Sequence, residues 1–369
     1  AAGAGTQGVN RLEKLRARLA GEGLGALLVS APENRHYLSG FTGSAGFLLI
    51  TPSRAVLATD FRYTEQAKAQ APLFEVVEVR GEPHQWLPGL VSGLGAALSL
   101  AKGADGLGFE AQNLTVAVYQ KIEPALGGAD GSPRLVATEG LVESLRAVKE
   151  PGEVELMARA AALADAALAH ARKVARAGMS ETELAWEIER CLREGGSGTP
   201  PFELIVASGP NGALPHAHPT DRPLAAGEPV VIDIGAKVGG YTSDLTRTLC
   251  LGEPDERFRE LYSLVLRAQQ AALVGVRPGM TGDAADALAR RVIEEAGLGH
   301  AFGHGLGHGV GLATHEDPRL GPGSAQVLQA DMVFTIEPGV YLPEWGGIRI
   351  EDMARLTPEG AHPLTRSPK

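Results

Sequence analysis

The sequence predicts a two-domain α/β protein, with a mixed α/β domain over residues 1–148 and an α+β domain over residues 149–369 made of two related halves. Three observations carry this. At 369 residues the chain is longer than one ordinary core organises. Short apolar strands alternate with helical segments through about residue 140, which is the pattern of a mixed sheet covered by helices. Past Val148-Lys149-Glu150-Pro151-Gly152, long helices lead to a C-terminal third of strands, and one acid-bearing segment occurs twice.

Element by element, residues 1–10 read as a flexible lead, and Val9–Ala20 as a helix with Leu12, Leu15 and Leu19 on one face. Strands are expected at Ala26–Val29, Phe47–Ile50, Ala55–Ala58 and Phe74–Val79, with a Pro/Asn turn after the first and a helix over Asp60–Gln70. The small residues and glycines of 89–108 read as loop. Pro151 suits a first helical turn, so Val154–Ala175 is expected to be an Ala-rich amphipathic helix that Gly178 stops. Ser180-Glu181-Thr182-Glu183 is a capping box, opening a helix to about Glu194. A strand at Leu204–Ala207, helices over Glu253–Val274 and Gly282–Ala296, and strands at Val333–Glu337 and Gly347–Ala354 complete the reading.

Bulk properties narrow the function. The net charge of −10, with no long basic run, argues against a nucleic-acid partner. No apolar run approaches the roughly 20 residues that span a bilayer, and the N-terminus lacks an apolar signal core. A starting Met is also lacking, so upstream residues are allowed for. Two cysteines, Cys191 and Cys250, make neither a disulfide framework nor a thiolate metal site, and a cytoplasmic location is expected.

The chemistry centres on Pro229–Cys250. Val230–Ile234 suits a buried strand, Gly239-Gly240 is turn chemistry, and Tyr241–Leu249 reads as the returning strand. A hairpin symmetric about the Val238–Gly239 bond puts Asp233 opposite Asp244. Like charges facing each other beside buried residues are costly, and a cation between them removes the cost. In Gly303–Gly311 glycine takes every second position, which disfavours a helix. An extended chain sends His304, Leu306, His308 and Val310 to one face, with glycines leaving room near an ion or substrate. The simpler reading is a flexible loop with two incidental histidines. Two further strand-like segments end on Glu337 and Glu351. An internal echo links the halves: Leu224-x-Ala226 leads to Ile232-Asp233, and Leu328-x-Ala330 leads to Ile336-Glu337 at the same offsets. Four carboxylates and one imidazole suit Mn, Co, Fe or Zn, and the charge balances two divalent ions. Such a pair favours hydrolysis of an acyl or phosphoryl group.

These segments together resemble the pita-bread metallopeptidases, in their Xaa-Pro branch of prolidase and aminopeptidase P. The specific matches are PHAHPTDRPLAAGEPVVIDIGAKVGGYTSDLTRT, HGLGHGVGLATHE, VFTIEPGVY and GIRIEDM. LRAVKEPGEVELMARAA is similar to the family's domain junction, and YLSGFTGSAG resembles the creatinase-type N-terminal domain. The resemblance implies a creatinase-like domain over 1–148 and a pita-bread catalytic domain with pseudo-twofold halves over 149–369. It implies Asp233, Asp244, His308, Glu337 and Glu351 as ligands of two metals, with manganese favoured over cobalt or zinc. Asp244 and Glu351 would bridge the ions, His308 and Glu337 would complete one site, and Asp233 the other. Glu337 is the implied general base, and His304 and His315 are implied to hold substrate and stabilise the tetrahedral intermediate. His216 matches a further substrate histidine, with His218 as the alternative. Arg349 matches an arginine beside the metals, and Tyr241 is expected in its hydrogen-bond network. The substrates implied are small peptides with proline second, cleaved by a homodimer. Prolidase, acting on dipeptides, is favoured over aminopeptidase P, acting on longer peptides, and Arg35, His36 or Arg62 is expected to receive the free carboxylate. A non-catalytic binding module and a metal-free creatinase-like hydrolase are disfavoured by the intact ligand set.

Overall fold

The computed structural model describes residues 2–94, 106–127 and 133–369, in two compact units, Ala1–Leu145 and Arg146–Lys369. The first unit runs α1 (Ala2–Gly21), β1 (Leu24–Val29), α2 (Pro32–Ser39), β2 (Phe47–Ile50), β3 (Ala55–Thr59), α3 (Thr64–Gln70) and β4 (Glu75–Glu78). It continues with α4 (Pro83–Leu94), β5 (Gly106–Glu110), α5 (Val116–Leu126) and β6 (Arg134–Thr138), and the unit boundary falls inside the short α6 (Glu143–Ala147). Its six strands form one mixed sheet in the order β4-β3-β2-β1-β5-β6. Two expectations are corrected here. The N-terminal lead is helical from Ala2, continuous with the Leu12, Leu15 and Leu19 face, so packing of the later turns carries the helix backwards. Pro32-Glu33-Asn34, expected as a turn, opens a helix, because proline at the first helical position loses no hydrogen bond. Of the expected loop at 89–108, the ends belong to α4 and β5, and 95–105 lie outside the described residues.

The second unit contains α7 (Pro151–Val174), α8 (Glu181–Glu194), β7 (Ile205–Ser208), β8 (Pro229–Ile234), β9 (Lys237–Val238), β10 (Tyr241–Thr242) and β11 (Leu245–Cys250). There follow α9 (Glu256–Gly275), α10 (Gly282–Glu295), β12 (Gly307–Gly309), β13 (Glu316–Leu320), β14 (Val333–Ile336), β15 (Gly339–Leu342), β16 (Gly346–Arg349), β17 (Asp352–Thr357) and β18 (Gly360–Pro363). The capping box of α8 forms as the sequence predicts: Glu183 N donates to Ser180 Oγ at 3.1 Å and Ser180 N to Glu183 Oε2 at 2.8 Å. α7 starts on a second capping box, Glu150 with Glu153, and buries Val154, Met157, Ala160, Ala164, Leu168 and Ala171 at helical spacing.

The echo between halves is structural. Leu224 N donates to Met179 O and Leu328 N to Met280 O, both at 2.8 Å, while Gly178 and Gly279 donate back to Leu224 and Leu328. Each half then starts a helix, α8 behind Ser180 and α10 behind Thr281. Each half also builds its own apolar cluster, one around Ile232, Ile234 and Leu245, the other around Phe334, Ile336 and Ile350. Sheet β11-β8-β7 belongs to the first half and β13-β12-β14-β17-β18 to the second. They meet along β11, where Glu351 N donates to Thr246 O at 3.1 Å and Arg349 N to Thr248 Oγ1 at 3.0 Å.

The start of this unit is pinned electrostatically. Arg146 and Lys149 both donate to the buried Glu316, Lys149 at 2.9 Å. Burial raises that carboxyl, but Lys149 and Arg146 outweigh it and hold Glu316 below the usual carboxylate range. The folded value lies below the unfolded one, so the pairs stabilise the fold above the unfolded value and are lost as pH falls through the folded one. In urea titrations, Glu316→Gln should cost about 3–5 kcal/mol at neutral pH, because two buried cations lose their partner. That gap should narrow once pH drops below about 4.3.

Candidate metal centre

The central hairpin brings its two acids together by a different register from the one expected. Gly239 and Gly240 both have positive φ, 58° and 89°, the geometry of a two-residue hairpin turn. Symmetry is therefore about the Gly239–Gly240 bond, and Asp233 pairs with Thr246 instead of Asp244. Because Asp244 is two residues before Thr246, it lies diagonally from Asp233 on the same face. Glu351 arrives from the other half. The expected strand Gly347–Ala354 is two strands, β16 and β17, broken at Ile350-Glu351, and the break delivers the carboxylate. Oxygens of Asp233, Asp244 and Glu351 all lie within 4.8 Å of one another.

The histidine segment is extended over Gly307–Gly309 alone, so strict alternation fails beyond it. His304 and His308 both line the cavity that the acids face, whereas Leu306 is buried in the second half's core. The glycines serve the protein's own strands: a methyl on Gly307 would collide with Thr335 O, and one on Gly309 with Asp317 O. His308 stands at 3.3 Å from Glu337 Oε1 and 3.7 Å from Asp244 Oδ2 through Nε2. Its Nδ1 faces Gly309 O at 3.1 Å; a carbonyl only accepts, so Nδ1 carries a proton and Nε2 is the nitrogen turned to the acids. Thr335 Oγ1 accepts from His308 N and donates to Glu337 Oε1, both at 3.0 Å. From α10, Asp286 accepts from Leu306 N, and its ion-pair partner Arg290 donates to the carbonyls of Phe302 and His304.

Charge crowding decides what the cluster is for. Burial, then Glu351 and Asp233, pushes Asp244 well above the carboxylate range, and burial followed by Glu337 and Asp233 does the same to Glu351. Burial raises Asp233 as well, although Arg349 opposes it. Burial would also raise Glu337, but His308 outweighs it and holds that carboxyl at about 2. Asp233 Oδ1 is buried and, among the described residues, has no hydrogen-bond partner. An orphaned carboxylate oxygen among mutually repelling acids is what a hard divalent cation satisfies, so the residues fit a metal.

The cavity has a volume of about 420 Å³ and is lined also by His216, His218, His315, Arg319 and Arg349. Arg349 is buried and donates to Asp233 Oδ2 at 2.7 Å, Tyr341 OH at 2.8 Å, Thr246 Oγ1 at 3.2 Å and Pro215 O at 3.1 Å. The tyrosine of this network is Tyr341, and the expectation for Tyr241 is corrected: its hydroxyl donates to Glu153 Oε1 at 2.6 Å, tying the hairpin to α7. Tyr341 OH also meets His304 Nε2 at 2.9 Å, while His304 Nδ1 meets Gly305 O at 2.8 Å. Both ring nitrogens of His304 are thus held by the protein, and burial lowers its pKa, keeping it neutral. His315 lies against His308, with ring centroids 4.0 Å apart and the planes tilted by 35°. His218 pairs with Glu203 at 2.9 Å.

In the first unit, Arg35 is 3 % exposed and donates to Gly43 O and Gly46 O at 2.7 Å, so its guanidinium is committed to its own loop. Arg62 pairs with Asp60 through two nitrogens, at 2.8 and 3.0 Å. Sequence reasoning passed over Arg319. It follows Asp317-Pro318 in β13, pairs with His308 in register, lines the cavity, and has no side-chain hydrogen bond among the described residues. Strand register, which the sequence does not reveal, sets it beside His308 on one face of the sheet.

Comparison with known proteins places these features. Residues 155–358 match the model of metallopeptidase family M24, and residues 11–148 that of the creatinase/prolidase N-terminal domain. An Xaa-Pro dipeptidase of Pyrococcus furiosus is 34% identical, over 97% of this chain and 98% of its own. Among solved structures, an Xaa-Pro dipeptidase from Bacillus anthracis superposes with a TM-score of 0.91 at 39% identity, covering 98% of both chains. An X-Pro aminopeptidase from Thermotoga maritima gives 0.86 at 36% identity, covering 97% of this chain and 98% of that one.

Asp244→Ala and Glu351→Ala should each abolish tight binding of divalent metal in titration calorimetry. Thermal unfolding without added metal should stay close to wild type, since each substitution removes a repelling charge. Near-normal metal affinity in either variant would remove that residue from the centre.

Proposed function

We propose, from the premise that this chain belongs to metallopeptidase family M24, that it hydrolyses the Xaa-Pro bond of dipeptides. The observation that carries the reading is the convergence of Asp233, Asp244 and Glu351, with His308 and Glu337 beside them, on one cavity. That cavity also offers Arg319, a cation with no side-chain partner among the described residues. The five residues, Asp233, Asp244, His308, Glu337 and Glu351, would hold two divalent ions, manganese before cobalt or zinc. When bound, the ions supply Lewis acidity towards a water and the scissile carbonyl.

The chain's own residues supply the rest. A bond preceding proline is a tertiary amide, so its nitrogen needs a proton as it leaves. Glu337, held by Thr335 and His308, is the group placed to take a proton from water and pass it on. His315 stands at the cavity edge to donate to the developing oxyanion. His304 is fastened by Tyr341, so its contribution is as a neutral member of the Tyr341–Arg349 network. His216 contacts substrate from the loop opposite, and Arg349 holds Asp233 in place. Arg319 receives the free carboxylate of proline, the role first expected of the N-terminal arginines. A homodimer in the cytoplasm remains our reading of its setting. The homodimer rests on family resemblance. Two free cysteines suit the cytoplasm, and among the described residues no helix is long and apolar enough to cross a membrane.

Chelator-stripped protein should cleave neither an Xaa-Pro dipeptide nor an Xaa-Pro-Yaa tripeptide. Manganese should restore activity, mainly on the dipeptide. Preference for the tripeptide would make the enzyme an Xaa-Pro aminopeptidase, and cleavage of neither would end the peptidase reading. Arg319→Leu should raise KM for the dipeptide by about 10- to 100-fold, the worth of one charge-assisted hydrogen bond. A peptide amide lacking the carboxylate should show no such change.

A further inference from the structure

Glu181, the first residue of α8, is 0 % exposed and lies outside both the cavity lining and the ion pairs. Its carboxylate takes five hydrogen bonds. Oε1 accepts from Ser208 N at 2.6 Å and Ser208 Oγ at 2.7 Å; Oε2 accepts from Asn211 Nδ2 at 2.8 Å, Thr220 N at 3.0 Å and Thr220 Oγ1 at 2.7 Å. A buried carboxylate persists only when its oxygens are satisfied, and here every donor comes from one loop, residues 208–222. The stems are closed on the same point: Glu181 N donates to Arg222 O, Thr182 N to Thr220 O, and Arg222 Nη1 to Ser208 Oγ at 2.7 Å. Between the stems the loop carries Pro215, His216, Ala217 and His218 to the cavity, and Asn211 Nδ2 reaches His218 O at 3.2 Å.

The second half provides an internal control. The residue after its cap, Thr281, is Gly282, and a methyl there would collide with Arg319 O. A helix start of this kind therefore needs no carboxylate, and the first half has one because its loop must be held.

We infer that Glu181 is a positioning residue that sets substrate affinity by fixing the 208–222 loop, and with it His216, against the cavity. The inference rests on the peptidase reading for its substrate. Glu181→Gln leaves the shape but sets an NH2 against one group of donors. With the manganese-loaded enzyme, KM for an Xaa-Pro dipeptide should rise about tenfold or more, the scale of one lost hydrogen bond to a charged group. kcat should change less than about threefold, because the chemistry is untouched. Metal affinity by calorimetry should hold, and amide exchange should quicken in 208–222 while 303–311 stays as in wild type. Thr220→Val keeps Glu181 and removes one donor, so it should shift KM the same way by a smaller factor, and it decides the matter if Glu181→Gln does not fold. Unchanged KM in the folded variants, or a loss through kcat or metal affinity, overturns the inference. Wild-type protein that cleaves no Xaa-Pro peptide, with loop exchange still responding to Glu181→Gln, overturns the peptidase reading and supports Glu181 as the anchor. Loop exchange that does not respond overturns the anchor itself.

Discussion

Carboxylates crowded into a buried place are the constraint on which the second unit depends. Asp233, Asp244 and Glu351 have oxygens within 4.8 Å of one another and little access to water. Left alone, such a group drives a sheet apart. The surrounding structure is arranged to hold it. Arg349 faces Asp233, Thr246 donates to Glu351 Oε2 at 2.6 Å, and Arg247, fully buried, donates to the carbonyls of Thr246 and Glu351 and to Asp352. Arg247 also takes the carbonyls of Ser367 and Pro368, so the end of the described chain is tied to the backbone of a candidate ligand. These interactions keep the acids in place, but Arg349 answers the charge of Asp233 alone, and what is left suits the site to a cation.

The two halves explain why acids from distant sequence meet. Each half begins a helix behind a hydroxyl cap and carries an acid near the end of a buried strand, Asp233 in β8 or Glu337 just past β14. The halves supply matched positions, and their differences give each a task. The first half holds its 208–222 loop with Glu181, and the second fills the equivalent space with the backbone of Arg319, a residue that lines the cavity.

Much of this was legible in the sequence, for identifiable reasons. Helices with caps, such as α8, and strands with clear apolar runs, such as β2, fall close to where pattern places them. The acids were legible because a charge beside β-branched residues is conspicuous. Register was not. One bond's difference in the turn centre moved Asp233 from Asp244 to Thr246, and only the backbone torsions of Gly239 and Gly240 decide that. Tyr241 and Tyr341 illustrate the same limit. Both are tyrosines beside turns, and which one joins Arg349 depends on β15 pairing with β16, a contact that spacing alone does not reveal. Arg319 was hidden because it sits in a polar stretch, where a surface charge is the ordinary reading.

The centre itself does not separate a dipeptidase from an enzyme of longer peptides, since metal ligands act on the bond before proline and not on any residue after it. Discrimination has to come from whatever meets the far end of the substrate. On the proposed reading that end meets Arg319 on β13 and the loop that carries His216, both of which line the cavity. Neither belongs to the acid cluster, and each is fixed by contacts of its own: Arg319 through its backbone seat against Gly282 and Gln326, the loop through Glu181. On that reading, reaction and substrate length are set by different parts of one domain. The fold is common to proteins named for either kind of substrate: an Xaa-Pro dipeptidase and an X-Pro aminopeptidase both superpose on this chain at similar identity.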